Sequence, residues 1–182
     1  MTETDPYAQP VFSISNRLRR AIWHTLWLCL LRPSPRSFFG WRSFWLQLFG
    51  AKLGRDCHVY PNARIWAPWL LEMGDVSCVG EGVEIYNPGG VVMGHHAIVS
   101  QGAYLCGATH DVHIPEFTYV SRKIELKAYS WVCARAIVLP GVTMGEGAVL
   151  AAGAVAPHDM VDWTIYGGNP AKVISQRKHE QP

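Results

Sequence analysis

The sequence predicts an all-β protein: a parallel β-helix of about five coils, with N-terminal helices before it and a short C-terminal tail after it. Two observations support this prediction. An aliphatic residue recurs every six positions, and a small residue stands four positions after most of these. A helix would repeat its apolar residues every 3.6 positions and a simple strand every two. A period of six is typical of hexapeptide repeats, three of which close one triangular coil.

The aliphatic positions define the coils. They are Leu53, Val59 and Ile65; Met73, Val79 and Ile85; Met93, Val99 and Leu105; Leu126, Val132 and Val138; and Met144, Leu150 and Ala156. The first three coils start 20 residues apart and the last two 18 apart, which predicts a two-residue bulge in each early coil. We expect the aliphatic side chains to point inward and to form one continuous core column.

The repeat is interrupted once, by residues 111–125 with the sequence "DVHIPEFTYVSRKIE". We expect this segment to leave one corner of the β-helix as a loop. Long loops in compact domains are more often functional than idle, and this one mixes polar and aromatic residues. It is therefore predicted to be a lid or a subunit contact.

Before the repeats, residues 13–32 are predicted to form an amphipathic helix, which "RPSP" ends, and a second short helix begins in "FFGWRSFWLQLFGAKLG". The apolar stripe of the first helix is predicted to be Leu18, Ile22, Leu26 and Leu30, with Arg17, Arg19 and Arg20 in its early turns. The helices can cap the open end of the β-helix, or lay a basic, Trp-rich face on an anionic membrane. Capping is favoured because every solenoid needs a cap.

These elements divide the chain into a helical cap (residues 1–50), the β-helix with its loop (51–161) and a tail (162–182). The formal net charge of +2 is too small to indicate a nucleic-acid-binding protein. The five cysteines form no C-x-x-C pair, which favours buried thiols in a reducing compartment. The apolar segment 21–31 is too short to span a bilayer, and no signal-peptide cleavage site follows it. We therefore expect a cytoplasmic protein.

Several motifs together resemble those of the hexapeptide-repeat acyltransferases. They are the "MG" hexapeptides, "THD" before the loop, "VLPGVTMGEGAVLAAGAV" and "WTIYGGNPAKVI". The resemblance is to galactoside and maltose O-acetyltransferases and, through "LRPSP" and "FGAKLG", most of all to colanic acid biosynthesis O-acetyltransferases. It covers about residues 13–175 and implies a left-handed β-helix. It also implies a homotrimer with active sites between neighbouring subunits, acetyl-CoA as the acyl donor and no metal.

The resemblance places the catalytic histidine at His110. A sugar hydroxyl is a poor nucleophile, and a neutral imidazole can take its proton as the oxygen attacks. The residues that the resemblance assigns to CoA are Trp131, Ala134, Ala152, Pro157, His158, Lys172 and Ser175. Three of them depart from the pattern: relatives commonly have Thr-Lys where this chain has Pro157–His158, and Ser175 is not basic.

The implied acceptor is a carbohydrate, free or lipid-linked, in exopolysaccharide biosynthesis, which would bring the enzyme to the inner face of the membrane. Asn87 is the nearest polar candidate for contacting that acceptor, although an asparagine before a proline is equally typical of a turn.

Two other functions stay open. His95, His96, His110 and His113 raise the possibility of a zinc enzyme like the carbonic anhydrases that share this fold, although adjacent histidines on a strand diverge. The third possibility is a β-helix scaffold that has lost its catalytic activity.

Overall fold

A computed structural model describes residues 10–178 of the 182-residue chain. Residues 1–9 of the predicted cap and residues 179–182 of the predicted tail lie outside the described residues. Helix α1 (Ile14–Leu26) begins at Ser13, whose hydroxyl accepts a hydrogen bond from the Asn16 backbone N–H. It continues as a wider π-type turn (Trp27–Leu31), and α2 (Phe39–Leu48) follows. Neither helix in this part of the chain is long and apolar enough to cross a bilayer.

The rest of the chain winds into a left-handed parallel β-helix, in which each coil gives one strand to each of three sheets. The strands of the first three coils are β1 (Lys52–Leu53), β2 (His58–Val59), β3 (Arg64–Ile65), β4 (Leu71–Met73), β5 (Cys78–Val79), β6 (Glu84–Tyr86), β7 (Val91–Met93), β8 (Ile98–Val99) and β9 (Tyr104–Cys106). After them come the hairpin strands β10 (Ala108–His110) and β11 (Tyr119–Ser121). The last coils contain β12 (Ile124–Leu126), β13 (Trp131–Val132), β14 (Ile137–Val138), β15 (Thr143–Met144), β16 (Val149–Leu150) and β17 (Val155–Ala156), before β18 (Thr164–Gly168) and β19 (Ala171–Gln176).

The first sheet has the strand order β1-β4-β7-β12-β15, and the third has the order β3-β6-β9-β14-β17. The second sheet has the order β2-β5-β8-β13-β16-β18, and β19 pairs antiparallel with β18 at its end. Five complete coils are thus followed by part of a sixth, formed by β18. We call the three edges of the triangular prism corner 1 (first to second sheet), corner 2 (second to third) and corner 3 (third to first).

The six-residue periodicity correctly predicted the register. In the first sheet, Leu53, Met73, Met93, Leu126 and Met144 are aligned in one row, and the valine and isoleucine positions align likewise in the other two sheets. These side chains fill a single core that runs the length of the β-helix. The two extra residues of the first two coils lie at corner 3, because Ile65 and Met73, like Ile85 and Met93, are eight positions apart, whereas Val138 and Met144 in the fourth and fifth coils are six apart.

The N-terminal helices cap the β-helix. The first coil is an open sheet edge on all three sides, and its outward-pointing carbonyls need donors. Trp23 Nε1 donates to Ile65 O (2.8 Å), Arg42 Nε to Val59 O (2.6 Å), Ser43 Oγ to Cys57 O and Gln47 Nε2 to Leu53 O. Trp23 of α1, Leu31 of the π-type turn and Leu46 of α2 are fully buried in the same core. Through these contacts the helices cover the open end of the first coil.

The predicted apolar stripe of α1 is wrong. Leu18, Ile22 and Leu30 are exposed, and Leu26 is only partly buried. Trp23, Trp27 and Leu31 face the core instead. The indole of Trp23 decides this orientation, because it fills the end of the core and also supplies an N–H to the first coil.

The interruption is an antiparallel hairpin that leaves corner 3 between Gly107 and Lys123, not a loose loop of residues 111–125. Ile124 and Glu125 already belong to β12, because Ile124 is fully buried and adds a second inward residue to the coil. At the base of the hairpin, a side chain on Gly107 would come within 2.6 Å of Tyr86 O, and one on Gly89 within 2.5 Å of the Arg122 backbone. Glycine is required at both positions by this close approach.

Candidate active site

His110 is the last residue of β10, and the hairpin holds its imidazole in one orientation. Nδ1 lies 2.5 Å from the carbonyl oxygen of Phe117. A carbonyl only accepts, so Nδ1 carries the proton and donates it, and Nε2 of the neutral ring is left with a free lone pair. The side chain is exposed at corner 3, where a hydroxyl group could reach Nε2. A neutral imidazole held in this tautomer can accept a proton at Nε2.

Tyr119 fixes the hairpin to the β-helix. It pairs with His110 across the hairpin, and the two rings pack edge to face with centroids 5.8 Å apart. The Tyr119 hydroxyl lies 3.1 Å from that of Tyr86 on β6. Burial, together with the hydrogen bond to Tyr86, raises the pKa of Tyr119, so its hydroxyl stays protonated. Nothing in the sequence pattern indicated this contact, because it joins residues from the hairpin and from a coil 33 positions earlier.

Three of the predicted CoA residues lie together at or beside corner 2. Ala134 and Ala152 occupy that corner in the fourth and fifth coils, and the Trp131 ring on the neighbouring face donates its N–H to Ser100 Oγ at 2.8 Å. Gly153, next to Ala152, has a positive φ of 70°, and a side chain there would meet nothing within 4 Å. Small residues leave the backbone of this corner open to a ligand, and we refer to the strip formed by Ala134, Ala152 and Gly153 as the groove.

The thiol beside this groove is not a candidate nucleophile. Cys133 precedes Ala134, and burial raises the pKa of its thiol. A reactive cysteine needs a pKa shifted in the opposite direction, so that thiolate is present at neutral pH.

The remaining predicted CoA residues lie elsewhere. Pro157 and His158 follow β17 at corner 3 of the fifth coil, the same corner from which the His110 hairpin leaves. Lys172 and Ser175 are exposed on β19, opposite Gly167 and Ile165. The structure therefore places His110 at corner 3 and the Ala134–Ala152 groove at corner 2, and a single chain does not bring them together.

Asn87 is not available for an acceptor, and the prediction that it contacts one is corrected here. Its side chain is fully buried at corner 3. Oδ1 accepts from the Ala67 N–H (3.1 Å), while Nδ2 donates to Ala67 O (2.9 Å) and Leu70 O (3.0 Å). These bonds hold the bulged corner of the preceding coil in place. Asn87 therefore has a structural role in a turn, the alternative that its position before a proline predicts.

A cleft of about 630 Å³ lies between α1 and the third sheet. Trp66 and Tyr86 form its aromatic wall and pack edge to face (5.5 Å), while its polar lining includes Arg32, Asn62 and Glu84. The cleft is linked to the His110 hairpin at Tyr119, whose hydroxyl meets that of Tyr86 and whose ring packs on Phe12, itself in contact with Trp66.

His95 and His96 lie on a different corner from His110. They are exposed at corner 1, with their Nδ1 atoms 3.1 Å apart and both rings packed against Tyr129. Within residues 10–178, no group of three or more His, Cys, Asp or Glu side chains is arranged to hold a metal ion.

Comparisons with known proteins agree with this fold. The chain is 34% identical over 166 residues, 91% of each chain, to the "Putative colanic acid biosynthesis acetyltransferase WcaF" of Escherichia coli K12. Its structure resembles a hexapeptide-repeat acetyltransferase from Vibrio cholerae (TM-score 0.82, 19% identity, 92% of this chain and 95% of that one). It also resembles a maltose O-acetyltransferase from Clostridium difficile 630 (TM-score 0.80, 17% identity, 92% and 90%).

The Vibrio cholerae protein has also been solved with acetyl coenzyme A bound (TM-score 0.81, 19% identity, 92% and 91%). No family model matches the sequence. The extent of the match to the Escherichia coli relative, over nine-tenths of both chains, nevertheless shows the family. This chain belongs to the hexapeptide-repeat acetyltransferases, in the family of colanic acid biosynthesis acetyltransferases.

Proposed function

We propose that the protein transfers an acetyl group from acetyl-CoA to a hydroxyl of a carbohydrate, in the biosynthesis of an exopolysaccharide. The observation that carries this proposal is the orientation of His110, whose Nδ1 is bonded to the Phe117 carbonyl and whose Nε2 is free at an exposed corner. Membership of an acetyltransferase family supports the reaction, and the names of the relatives support a carbohydrate acceptor.

In this mechanism Nε2 of His110 takes the proton of the acceptor hydroxyl as its oxygen bonds to the acetyl carbonyl carbon. The carbon–sulfur bond breaks, and the imidazolium returns the proton to the CoA thiolate. No acyl-enzyme is needed when both substrates are held together. The Phe117 carbonyl keeps the ring in the productive tautomer and stabilises its positive charge during the step.

The groove at corner 2 fits the donor. An amide-rich pantetheine arm can lie against backbone only where side chains are small, as they are at Ala134, Ala152 and Gly153. The exposed ammonium of Lys172 can pair with a CoA phosphate as a point charge. Trp131 and Ser175 lie on the second-sheet side of the groove, and Pro157 and His158 on the opposite corner.

The separation of these groups supports a C₃ homotrimer. His110 and the donor groove lie on different corners of one prism, so each site needs corner 3 of one subunit beside corner 2 of the next. Three chains arranged around one axis would form three equivalent sites, each shared by two subunits. In this arrangement Pro157 and His158 face the donor from the subunit that supplies His110.

We assign the carbohydrate to the cleft between α1 and the third sheet. Sugar rings stack their apolar faces on aromatic side chains, which Trp66 and Tyr86 supply, while their hydroxyls need donors and acceptors. Arg32, Asn62 and Glu84 provide these groups along the same wall. The Tyr86–Tyr119 contact leads from this cleft to His110.

An acetylation screen tests the proposal. Purified protein is incubated with radiolabelled acetyl-CoA and a panel of free, nucleotide-linked and lipid-linked sugars, and the transferred label is counted. We expect at least one carbohydrate to be labelled and acetyl-CoA alone to raise the melting temperature. Near-stoichiometric zinc in the purified protein, or no melting shift at saturating acetyl-CoA together with no labelled product, would contradict it.

A further inference from the structure

We propose that α2 and the segment just before it bind the surface of an anionic lipid bilayer. This inference does not depend on the reaction proposed above. It rests on the outward side of α2, which consists of Trp41, Phe44 and Leu48, together with Phe38 just before the helix. These side chains are 39%, 55%, 62% and 53% exposed, an unusual exposure for large apolar residues that lie together.

Capping does not account for these residues, because it uses only the opposite side of the helix. Arg42, Ser43 and Gln47 face the first coil through hydrogen bonds, and Leu46 fills the core. Trp41 and Phe44 instead pack on each other and on Trp45. An open apolar cleft separates them from the preceding segment, lined by Ser34, Pro35, Phe38, Gly40, Trp41 and Phe44. A side chain at Gly40 would meet nothing within 4 Å, so the cleft opens outward.

Charge identifies the partner as anionic. Residues 10–51 contain six arginines and no aspartate or glutamate, and the first acidic residue after them is Asp56. Arg36 and Arg32 lie in the segment that leads to Phe38; both are exposed, and their guanidinium groups contact the Tyr60 ring (4.7 Å) and Asn62 Oδ1 (3.0 Å) respectively. Exposed Trp, Phe and Leu with arginines beside them are the pattern of an interfacial helix, whose rings sit at headgroup level while its arginines meet anionic headgroups.

The position of α2 favours a flat surface over a second copy of the chain. The proposed active site joins neighbouring subunits through corners 2 and 3, which are sides of the prism. By contrast, α2 packs on β1 and β2 across the end of the prism. Since Arg42 also bonds the carbonyls of Pro35 and Arg36, the segment and the helix are held to the coil as one unit. The aromatic side is therefore presented rigidly, beyond the first coil.

Flotation of the full-length protein with vesicles tests this proposal. Vesicles of phosphatidylcholine alone are compared with vesicles that also contain phosphatidylglycerol. We expect binding to the anionic vesicles that weakens in high salt. Trp41→Ser/Phe44→Ser should lower the partition coefficient by roughly tenfold or more, and Arg36→Gln by about fivefold on anionic vesicles only. Brominated lipid should quench the fluorescence of the wild-type protein more than that of Trp41→Phe.

The matched control is Val161→Ser/Val173→Ser, which removes two exposed apolar side chains at the other end and should leave binding unchanged. The proposal is overturned if the wild-type protein does not float with anionic vesicles, or if Trp41→Ser/Phe44→Ser floats as well as wild type. It is also overturned if that double variant changes the oligomeric mass without lipid, because a second copy would then cover the face. Acetyl transfer to a soluble acceptor should be equal in both double variants. A loss of lipid binding can then be distinguished from a loss of the proposed reaction.

Discussion

Two polar residues at corner 3, His110 and Asn87, have different roles. His110 has one ring nitrogen bonded and one free, whereas the buried amide of Asn87 bonds backbone on both sides. A side chain with an unused polar atom at the surface can act on a substrate, and one without such an atom can only hold the fold. The distinction depends on hydrogen bonds to distant residues, so the sequence could locate both residues but not separate their roles.

We expect His110→Ala to lower kcat by about 10²–10⁴ while leaving CoA affinity nearly unchanged, because the variant loses only the proton acceptor. Transfer rates and CoA binding by calorimetry measure the two effects separately. His113→Ala, three residues along the same hairpin, is the matched control and should retain activity. Equal turnover of His110→Ala and wild type would remove His110 from the mechanism.

Asn87→Ala should destabilise the fold and spare the chemistry. It removes the Asn87 partner of the Ala67 N–H and of the Leu70 carbonyl, and leaves the Ala67 carbonyl with only the Leu70 N–H, which costs about 3 kcal/mol of unfolding free energy. Urea denaturation measures this loss, and the KM for the acceptor should stay within twofold of wild type at a temperature where the variant is folded. A large rise in KM with unchanged stability would restore Asn87 to the acceptor site.

At the scale of elements, the six-residue pattern predicted the coils and their register because every inward position is filled by the same class of side chain. The helices were predicted less well. Their existence and their capping role follow from the general needs of a solenoid, but the buried side of α1 depends on which indole reaches the first coil. The hairpin was recognised as an interruption, while the Tyr86–Tyr119 bond that anchors it is a long-range contact.

Arg42 makes several hydrogen bonds within the cap. Its buried guanidinium donates to the carbonyls of Val59, Pro35 and Arg36, and to Ser34 Oγ. We expect Arg42→Met to keep the bulk of the side chain but lower the unfolding free energy by about 2–3 kcal/mol, since the buried carbonyls lose charge-assisted partners. Urea denaturation measures this loss of unfolding free energy. Arg55→Met, which breaks an exposed ion pair with Asp75, is the control and should leave the unfolding free energy nearly unchanged, because solvent screens that pair. Equal losses would mean that Arg42 contributes only a surface interaction.

At the scale of the whole molecule, the two halves of the proposed active site lie on different corners of each chain. The resemblance to known enzymes implied this division, and the coil geometry supports it by placing His110 and Ala152 on corners 3 and 2. A site shared by two subunits has a consequence that a site within one chain lacks. Two subunits that carry different inactivating substitutions can form one intact site between them.

We expect such complementation between His110→Ala and Ala152→Trp, a variant whose bulky ring blocks the donor groove. Each variant alone should be inactive. In trimers refolded from an equal mixture, one intact site forms wherever both kinds of subunit are present, so activity should return to about one quarter of wild type. Native mass spectrometry verifies that hybrids form. Hybrids without activity would place the whole site within one subunit.

The closed ends of the β-helix have a last consequence, for polymerisation. Stacked coils are hydrogen-bonded to one another without a natural limit, so an uncovered end could accept the coil of another molecule and grow into a fibre. Here the side chains of α1 and α2 take up outward carbonyls of the first coil, and the β18–β19 hairpin covers the second sheet at the other end. The same helices that hold the aromatic face in place also keep the chain a particle of fixed length.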